Sequence, residues 1–173
     1  MLFAGAVPVL VARPDFEYEY VLKAQILVEL LPYVQWPPAP TPPTGPFIIG
    51  VYGRSPFGPS LDAYARTRTI QRRPIAIRYA TRLEDLAGCD AVFISPSEAS
   101  HADQVVAWAR GRRVLTVADA GSALRQGVMV ALLLEGDFVR LVVNLEVAQA
   151  QGLAFGSLLL RNARIVKSGS KLP

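Results

Sequence analysis

The sequence is poor in the residues that covalent, redox and metal chemistry rely on. It has one cysteine, Cys89, and one histidine, His101. A lone cysteine forms no internal disulfide, so the chain is not a disulfide scaffold, and the cysteine count leaves the compartment open. One histidine and one cysteine, twelve residues apart, make no metal cluster. No apolar run reaches the ~18–20 residues that span a bilayer as a helix. There is no G-x-S-x-G elbow for a nucleophilic serine and no G-x-G-x-x-G fingerprint for a dinucleotide. Charge is sparse too: 18% of residues are charged against 51% apolar, in a chain of 173, which describes one globular domain with a full core rather than a disordered chain. The formal charge of +4 mildly favours an acidic partner or anionic surface but is no nucleic-acid signature by itself.

What is present is organised around FIIGVYGRSPFG, residues 47–58. Phe47–Tyr52 reads as a strand covered on both faces, running into a Gly/Pro turn before a helix at about Pro59–Thr67. The unit then repeats. Strand Ile75–Tyr79 leads to a short helix Leu83–Ala87 capped by Thr81. Strand Ala91–Ser95 leads to a helix Ser97–Arg110 capped by Ser97, and strand Val114–Val117 follows. Strands alternating with helices predict βαβ crossovers and a largely parallel sheet. After that, residues 127–134 and 138–144 flank Glu135-Gly136-Asp137 as a β-hairpin, expected to put an antiparallel element at one edge. Leu145–Gln151 is helical up to Gly152, and residues 155–166 make a last helix or strand. The fold class expected is α/β: a three-layer sandwich with a mainly parallel sheet, a C-terminal antiparallel hairpin and an N-terminal helix.

Ahead of this body, residues 15–31 form that leading helix, with Asp15 as N-cap and an apolar stripe wide enough for packing on more than one side. Residues 32–46 contain seven prolines and read as a stiff connector inside the single domain 15–166, with Trp36 pinning it to the body. Residues 1–14 are apolar and small. They read either as the remainder of a secretory signal cleaved near Ala12, lacking a basic region ahead of Leu2, or as an apolar tail. Residues 167–173 are expected to fray.

Gly53 to Gly58 has P-loop spacing, but Pro59 stands where the phosphate-binding lysine belongs, and Pro56 and Pro59 remove backbone donors. A helix-capping turn is the plainer account, with Arg54 left as a weak anion contact. Ser95, Ser97 and Asp119 follow strands, where α/β sites form. Arg54, Ser95, Ser97 and Asp119 are therefore the expected ligand-binding residues, at the loops Gly53–Phe57, Ser95–Ser97 and Asp119–Ser122. No acid–base or nucleophile constellation emerges, so no enzyme, cofactor or metal is expected. Arg54, Arg66, Arg68, Arg72, Arg73, Arg78 and Arg82 face only Asp62 in their stretch. A solvated face is the plainer reading, and with no aromatics interleaved in the R-T-R-T-I-Q-R-R run, residues 66–73, nucleic acid is the least fitting partner, behind an acidic protein or anionic lipid. The apolar segments 127–134 and 153–166 read first as core, and second as a patch for a homodimer or partner protein, with Phe155, Leu158, Leu159, Arg161 and Arg164 as its contacts.

Laid end to end, six segments resemble a known family. They are Tyr20-Val21-Leu22-Lys23-Ala24 running to Tyr33-Val34-Gln35-Trp36-Pro37; Ile48–Gly58; Ile70-Gln71-Arg72-Arg73-Pro74-Ile75; Cys89–Ser95; Val114–Asp119; and Gly127-Val128-Met129 through Val143-Asn144-Leu145, Gly152-Leu153 and Ser157-Leu158-Leu159 to Ala163-Arg164-Ile165-Val166. Together they resemble the YfiR-like family of small periplasmic regulatory proteins over about residues 18–166. The resemblance implies a non-catalytic, periplasmic protein that binds the periplasmic sensor part of an inner-membrane diguanylate cyclase, or another inner-membrane sensor. Holding the cyclase off keeps cyclic-di-GMP, and so biofilm formation, low. It also implies closeness to the membrane surface. Some members tie redox state to activity through cysteine pairs, which Cys89 alone cannot form. The rival reading is a small-ligand sensor with its pocket at the C-terminal ends of the parallel strands.

Overall fold

The computed structural model describes residues 14–41 and 43–167. The expected signal remnant, apart from Pro14, and the tail beyond Lys167 lie outside the described residues. Helix α1, Pro14–Leu30, continues as a 3-10 turn, Leu31–Tyr33, where Pro32 ends regular helix. Asp15 lies inside α1 rather than at its cap. Tyr20, Lys23, Ala24, Leu27 and Val28 form a buried stripe that Leu31 continues in the turn, the i, i+3, i+4, i+7 rhythm of a helix with one face in the core, and Leu30 is buried beside it.

The connector is not wholly irregular. Val34–Gln35 forms a short strand, β1, and Trp36 docks edge-on to Phe47 at 5.4 Å and donates Nε1–H to the Asp90 carbonyl at 3.3 Å. The body follows as β2 Phe47–Tyr52, α2 Ser60–Ala65, β3 Thr69–Ile70, β4 Arg73–Ala80, a 3-10 turn Leu83–Leu86, β5 Ala91–Ile94, a 3-10 turn Pro96–His101, α3 Ala102–Ala109, β6 Leu115–Ala118, α4 Gly121–Arg125, β7 Val130–Glu135, β8 Phe138–Asn144, α5 Leu145–Ala150, β9 Ala154–Phe155, α6 Ser157–Arg161 and β10 Arg164–Val166.

The main sheet has eight strands in the order β10-β8-β7-β6-β5-β2-β4-β3. The block β7-β6-β5-β2-β4 is parallel throughout, as the alternating pattern predicts. The β7–β8 hairpin is antiparallel, pairing Val130 with Val143 through to Glu135 with Phe138. It is not the edge, which corrects the expectation: β10 lies outside β8 and runs parallel to it, Arg164 opposite Val142. The opposite edge is the two-residue β3, antiparallel to β4. A small separate pair joins β1 to β9, Val34 opposite Phe155.

Alternate residues of the strands feed two sides. Phe47, Ile49, Val51, Phe93, Leu115, Val117, Val130 and Leu132 pack with α1, α2 and α6, while Val92, Ile94, Val114 and Ala118 pack with α3 and the Leu83–Leu86 turn. These are three layers, helix–sheet–helix. Gly50 in β2 lets the sheet and that turn approach: a Cβ there would lie 2.8 Å from Leu86 Cδ2 and 3.0 Å from Cys89 Sγ.

Two capping expectations fail. The turn Leu83–Leu86 starts after Arg82 and has no side-chain cap, so Thr81 does not cap it. The segment expected as helix Ser97–Arg110 splits into a 3-10 turn and a shorter helix. Ser97 is not its cap; its hydroxyl accepts from another segment, described below. Asn144 does cap α5, accepting from the Val147 N–H at 3.2 Å, and α5 stops short of Gly152 as expected.

Candidate functional site

The chain leaves β2 for β4 on one side of it and returns to β5 on the other, so the sheet has its switch point between β2 and β5. Three of the expected ligand residues lie at the C-terminal ends of these strands. Gly53 turns at φ +91° and donates its N–H to the Ala80 carbonyl at 2.8 Å. A side chain at Gly53 would collide with Glu98 Cγ, 2.5 Å away, and Ser97 Oγ, 2.7 Å away. Ser97 Oγ accepts from the Arg54 N–H at 3.0 Å. Ser97 and Arg54 are exposed, whereas Ser95 is buried and its Oγ has no hydrogen-bond partner among the described residues. Downstream, Phe57 plugs the core against Phe93 at 4.6 Å and Tyr20 at 5.8 Å. The turn with P-loop spacing is thus a lid over apolar core, closed by Ser97 and Glu98 rather than left open as a phosphate cradle.

The fourth residue, Asp119, stands apart from this trio and joins α1. At the end of β6, it accepts from the Tyr20 hydroxyl on one oxygen and from Lys23 Nζ on the other, and Lys23 also pairs with Glu19 one helical turn earlier. Lys23 is 1% exposed. Burial pushes the Asp119 carboxyl above the usual aspartate range, opposed by the hydrogen bonds from Lys23 and Tyr20. Burial likewise raises the Tyr20 phenol, helped by its bond to Asp119. A cleft of about 520 Å³ opens beside the cluster, lined by Glu19, Lys23, Asp119, Ser122, Arg125 and Glu135.

The sequence pointed to Asp119 but not to its partners, 96 and 99 positions away. One signal for Lys23 was available: it falls at the i+3 position of the apolar stripe that starts at Tyr20, where a charge needs a buried partner.

The expected partner residues divide. Phe155 and Leu159 are buried at 8% and 6% exposure and belong to the core under α1. Leu158 on α6 is 53% exposed, and Arg161 is exposed. Arg164 is held by Glu135, Nη1 to Oε1 at 2.8 Å. Leu158, Leu159, Leu30, Ile26, Leu141 and Tyr33 line an apolar groove of about 340 Å³ between α1 and α6. Tyr33 adds a 40% exposed ring.

The basic stretch is mostly consumed internally. Arg68 pairs with Glu29, Arg73 with Asp90 and Arg82 with Glu84, while Arg78 donates to the Ala87 carbonyl. Among the described residues no group of three or more His, Cys, Asp and Glu is placed to hold a metal. Among them, too, no helix is long and apolar enough to cross a membrane. His101 is exposed, in contact with its neighbour Ser100 at 3.2 Å and with Glu98 at 3.9 Å.

The profile of the YfiR/HmsC-like family matches residues 20–164. No curated protein matches the sequence. Among solved structures, an ABC domain in complex with L-Trp from Streptococcus pneumoniae superposes with a TM-score of 0.60 at 14% identity, over 83% of this chain and 60% of that one. A conserved domain protein from Vibrio cholerae O1 biovar El Tor gives 0.58 at 15% identity, over 86% and 60%. A substrate-binding protein with adhesive properties from Clostridium difficile, in its ligand-free open form, gives 0.55 at 15%, over 70% and 55%. At these identities the likeness is one of fold, and the chain spans about 60% of the length of the first two structures.

Proposed function

Since the chain belongs to the YfiR/HmsC-like family, we propose that it is a non-catalytic periplasmic regulator that binds the periplasmic sensor part of an inner-membrane diguanylate cyclase and holds the cyclase off. The family match over residues 20–164 is the observation that carries this reading. Such repression requires tighter binding to the inactive than to the active state of the cyclase. The surface that favours a protein partner is the apolar groove between α1 and α6, with Leu158 and Tyr33 exposed above buried Leu159, and Arg161 at the end of α6. Apolar contact there gives area, and the arginine gives steering toward an acidic surface.

The test is a pull-down from membranes with the tagged, exported protein, paired with a cyclic-di-GMP assay in a deletion strain. Capture of a cyclase together with raised cyclic-di-GMP on deletion is the expected result. An unchanged cyclic-di-GMP level with no membrane partner captured would sink the proposal.

A second reading, a small-ligand sensor, is favoured by one observation: the cleft of about 520 Å³ beside Asp119 and Lys23 lies at the C-terminal ends of the parallel strands. Two of the superposing structures are described as holding L-Trp and as substrate-binding. A small polar ligand in that cleft would raise the melting temperature of the wild-type chain and not of an Arg125→Ala variant.

A further inference from the structure

The other end of the sheet carries a cavity of about 480 Å³ that neither reading above uses. It opens where the parallel strands begin: Phe47 starts β2, Arg73 starts β4, Asp90 precedes β5, and Arg112 and Arg113 precede β6. Trp36 from the connector and Trp108 from α3 complete its walls, and Gly88 and Gly111 leave it open, with nothing within 4 Å of where a side chain would begin. The volume is in the range of small-molecule sites, roughly 300–1,000 Å³.

Its charge is unbalanced. Asp90 is the one carboxylate among the described lining residues, and it is already committed. Both its oxygens accept from Arg73 at 3.0 Å, and Oδ2 also accepts from the Ile48 N–H at 2.9 Å. Arg112 and Arg113 have no carboxylate partner among the described residues. Arg112 spends Nε on the Trp108 carbonyl at 2.6 Å, and its guanidinium lies 5.3 Å over the Trp108 ring. Arg113 sits at φ +61°, a conformation that side-chain-bearing residues adopt only under constraint, and gives one Nη to the Pro37 carbonyl. Its Nε is buried and has no acceptor among the described residues. A buried guanidinium N–H without an acceptor is costly unless something supplies one.

We propose that this cavity binds a small aromatic carboxylate. The carboxylate takes the unused N–H groups of Arg113 and Arg112, a planar fork that matches two oxygens. The ring lies against the half-buried indoles of Trp36 and Trp108, where offset or edge contacts are favourable, while Phe47, itself buried, backs Trp36. A neutral ring leaves the guanidinium unmet, and a bare anion leaves the indoles unused, so both halves are needed.

The chain reports on this cavity directly, because its only two tryptophans both line it. Benzoate titrated into the full-length protein should change the tryptophan emission saturably. Benzamide and acetate should bind at least about tenfold more weakly. Arg112→Gln and Arg113→Gln should each weaken benzoate by about tenfold, with Trp36-to-Phe47 packing checked by circular dichroism and the melting temperature. Arg113 tethers the connector through Pro37; if its variant does not fold, exposed Arg112 decides the matter. The proposal is overturned if benzoate gives no saturable change in emission or melting temperature, if benzamide or acetate binds as well, or if a folded variant binds at wild-type strength. These outcomes are independent of whether a cyclase is captured from membranes.

Discussion

At the residue scale, the buried Lys23 makes the sharpest prediction. It is held between Glu19 and Asp119 with its side chain 2% exposed, and Asp119 is 5% exposed. Removing one member of a buried pair leaves the other uncompensated, at a cost of about 3–5 kcal/mol. Lys23→Met should therefore lower stability by that amount in a urea titration. Lys23→Met combined with Asp119→Leu should cost clearly less than the sum of the two single changes, because the more deeply buried of the two charges that Lys23 balances is gone. Strict additivity would mean that the pair does not act as a unit. Cys89 gives the pH prediction. Burial pushes its thiol up to about 11, partly offset by Arg78. A folded value above the unfolded one, about 8.5, favours the folded state below that pH and withdraws the stabilisation as pH rises toward 11. The native protein should become less stable over that window, with a shallower decline for Cys89→Ala. At pH 8 iodoacetamide should alkylate native Cys89 on the order of 100-fold more slowly than the unfolded chain, since the thiolate is what reacts. Comparable rates would contradict the buried, protonated thiol.

At the element scale, β2 and the Leu83–Leu86 turn are locked together through Gly50. Leu86 is fully buried and cannot swing away from an added methyl. Gly50→Ala should cost about 1–3 kcal/mol as an overpacking change, and Leu86→Ala in the same chain should recover part of it. Full tolerance of Gly50→Ala in a thermal melt would show that the two elements are free to separate. The elements themselves were legible to different degrees. Strands β2, β5 and β6 show in the sequence because runs such as FIIGVY and AVFI are buried along nearly their whole length, bounded by turn residues, while β4, β7 and β8 show as apolar-rich runs between turns. Segment 97–110 misled, since Pro96 and the polar SEASH run favour a 3-10 turn before apolar spacing restores a helix at Ala102. The β1–β9 pair is two residues long and made by tertiary pairing, and β3 folds back locally on the start of β4 across the turn Gln71-Arg72, so in neither case is there enough length for a period to mark it. Strand β10 escaped as an edge for a related reason: RIV reads equally as helix or strand, and only its docking on β8 decides. The candidate sites follow the same logic. Asp119 was visible because it ends an apolar strand, whereas its union with Lys23 and Tyr20 depends on how α1 crosses the sheet. The cavity between Trp36 and Trp108 is likewise assembled from segments far apart in the chain.

At the scale of the whole molecule, the two ends of the sheet are closed differently from its flank. The C-terminal end is occupied by the Lys23–Asp119 cluster, the N-terminal end by arginines and indoles, and the groove between α1 and α6 is apolar. A protein-binding face has to tolerate being wet when free and dry when bound, and α6 fits that. It anchors through Leu159 and presents Leu158 to solvent, with Arg161 at its end. Leu158→Glu should therefore leave stability within about 0.5 kcal/mol, because the side chain is already exposed. If the groove is the surface for the proposed cyclase partner, a carboxylate placed on it is desolvated on binding, and affinity for that partner should fall by tenfold or more. Arg161→Glu should act mainly on the association rate and make it less sensitive to salt, as expected of a rim charge. The homodimer expectation is tested in the same preparation: a shift of the wild-type chain toward monomer in Leu158→Glu, read by sedimentation, would assign the groove to self-association instead. Wild-type retention of the cyclase by Leu158→Glu would move the partner surface away from α6, because no binding mode that covers this groove leaves an introduced charge without consequence.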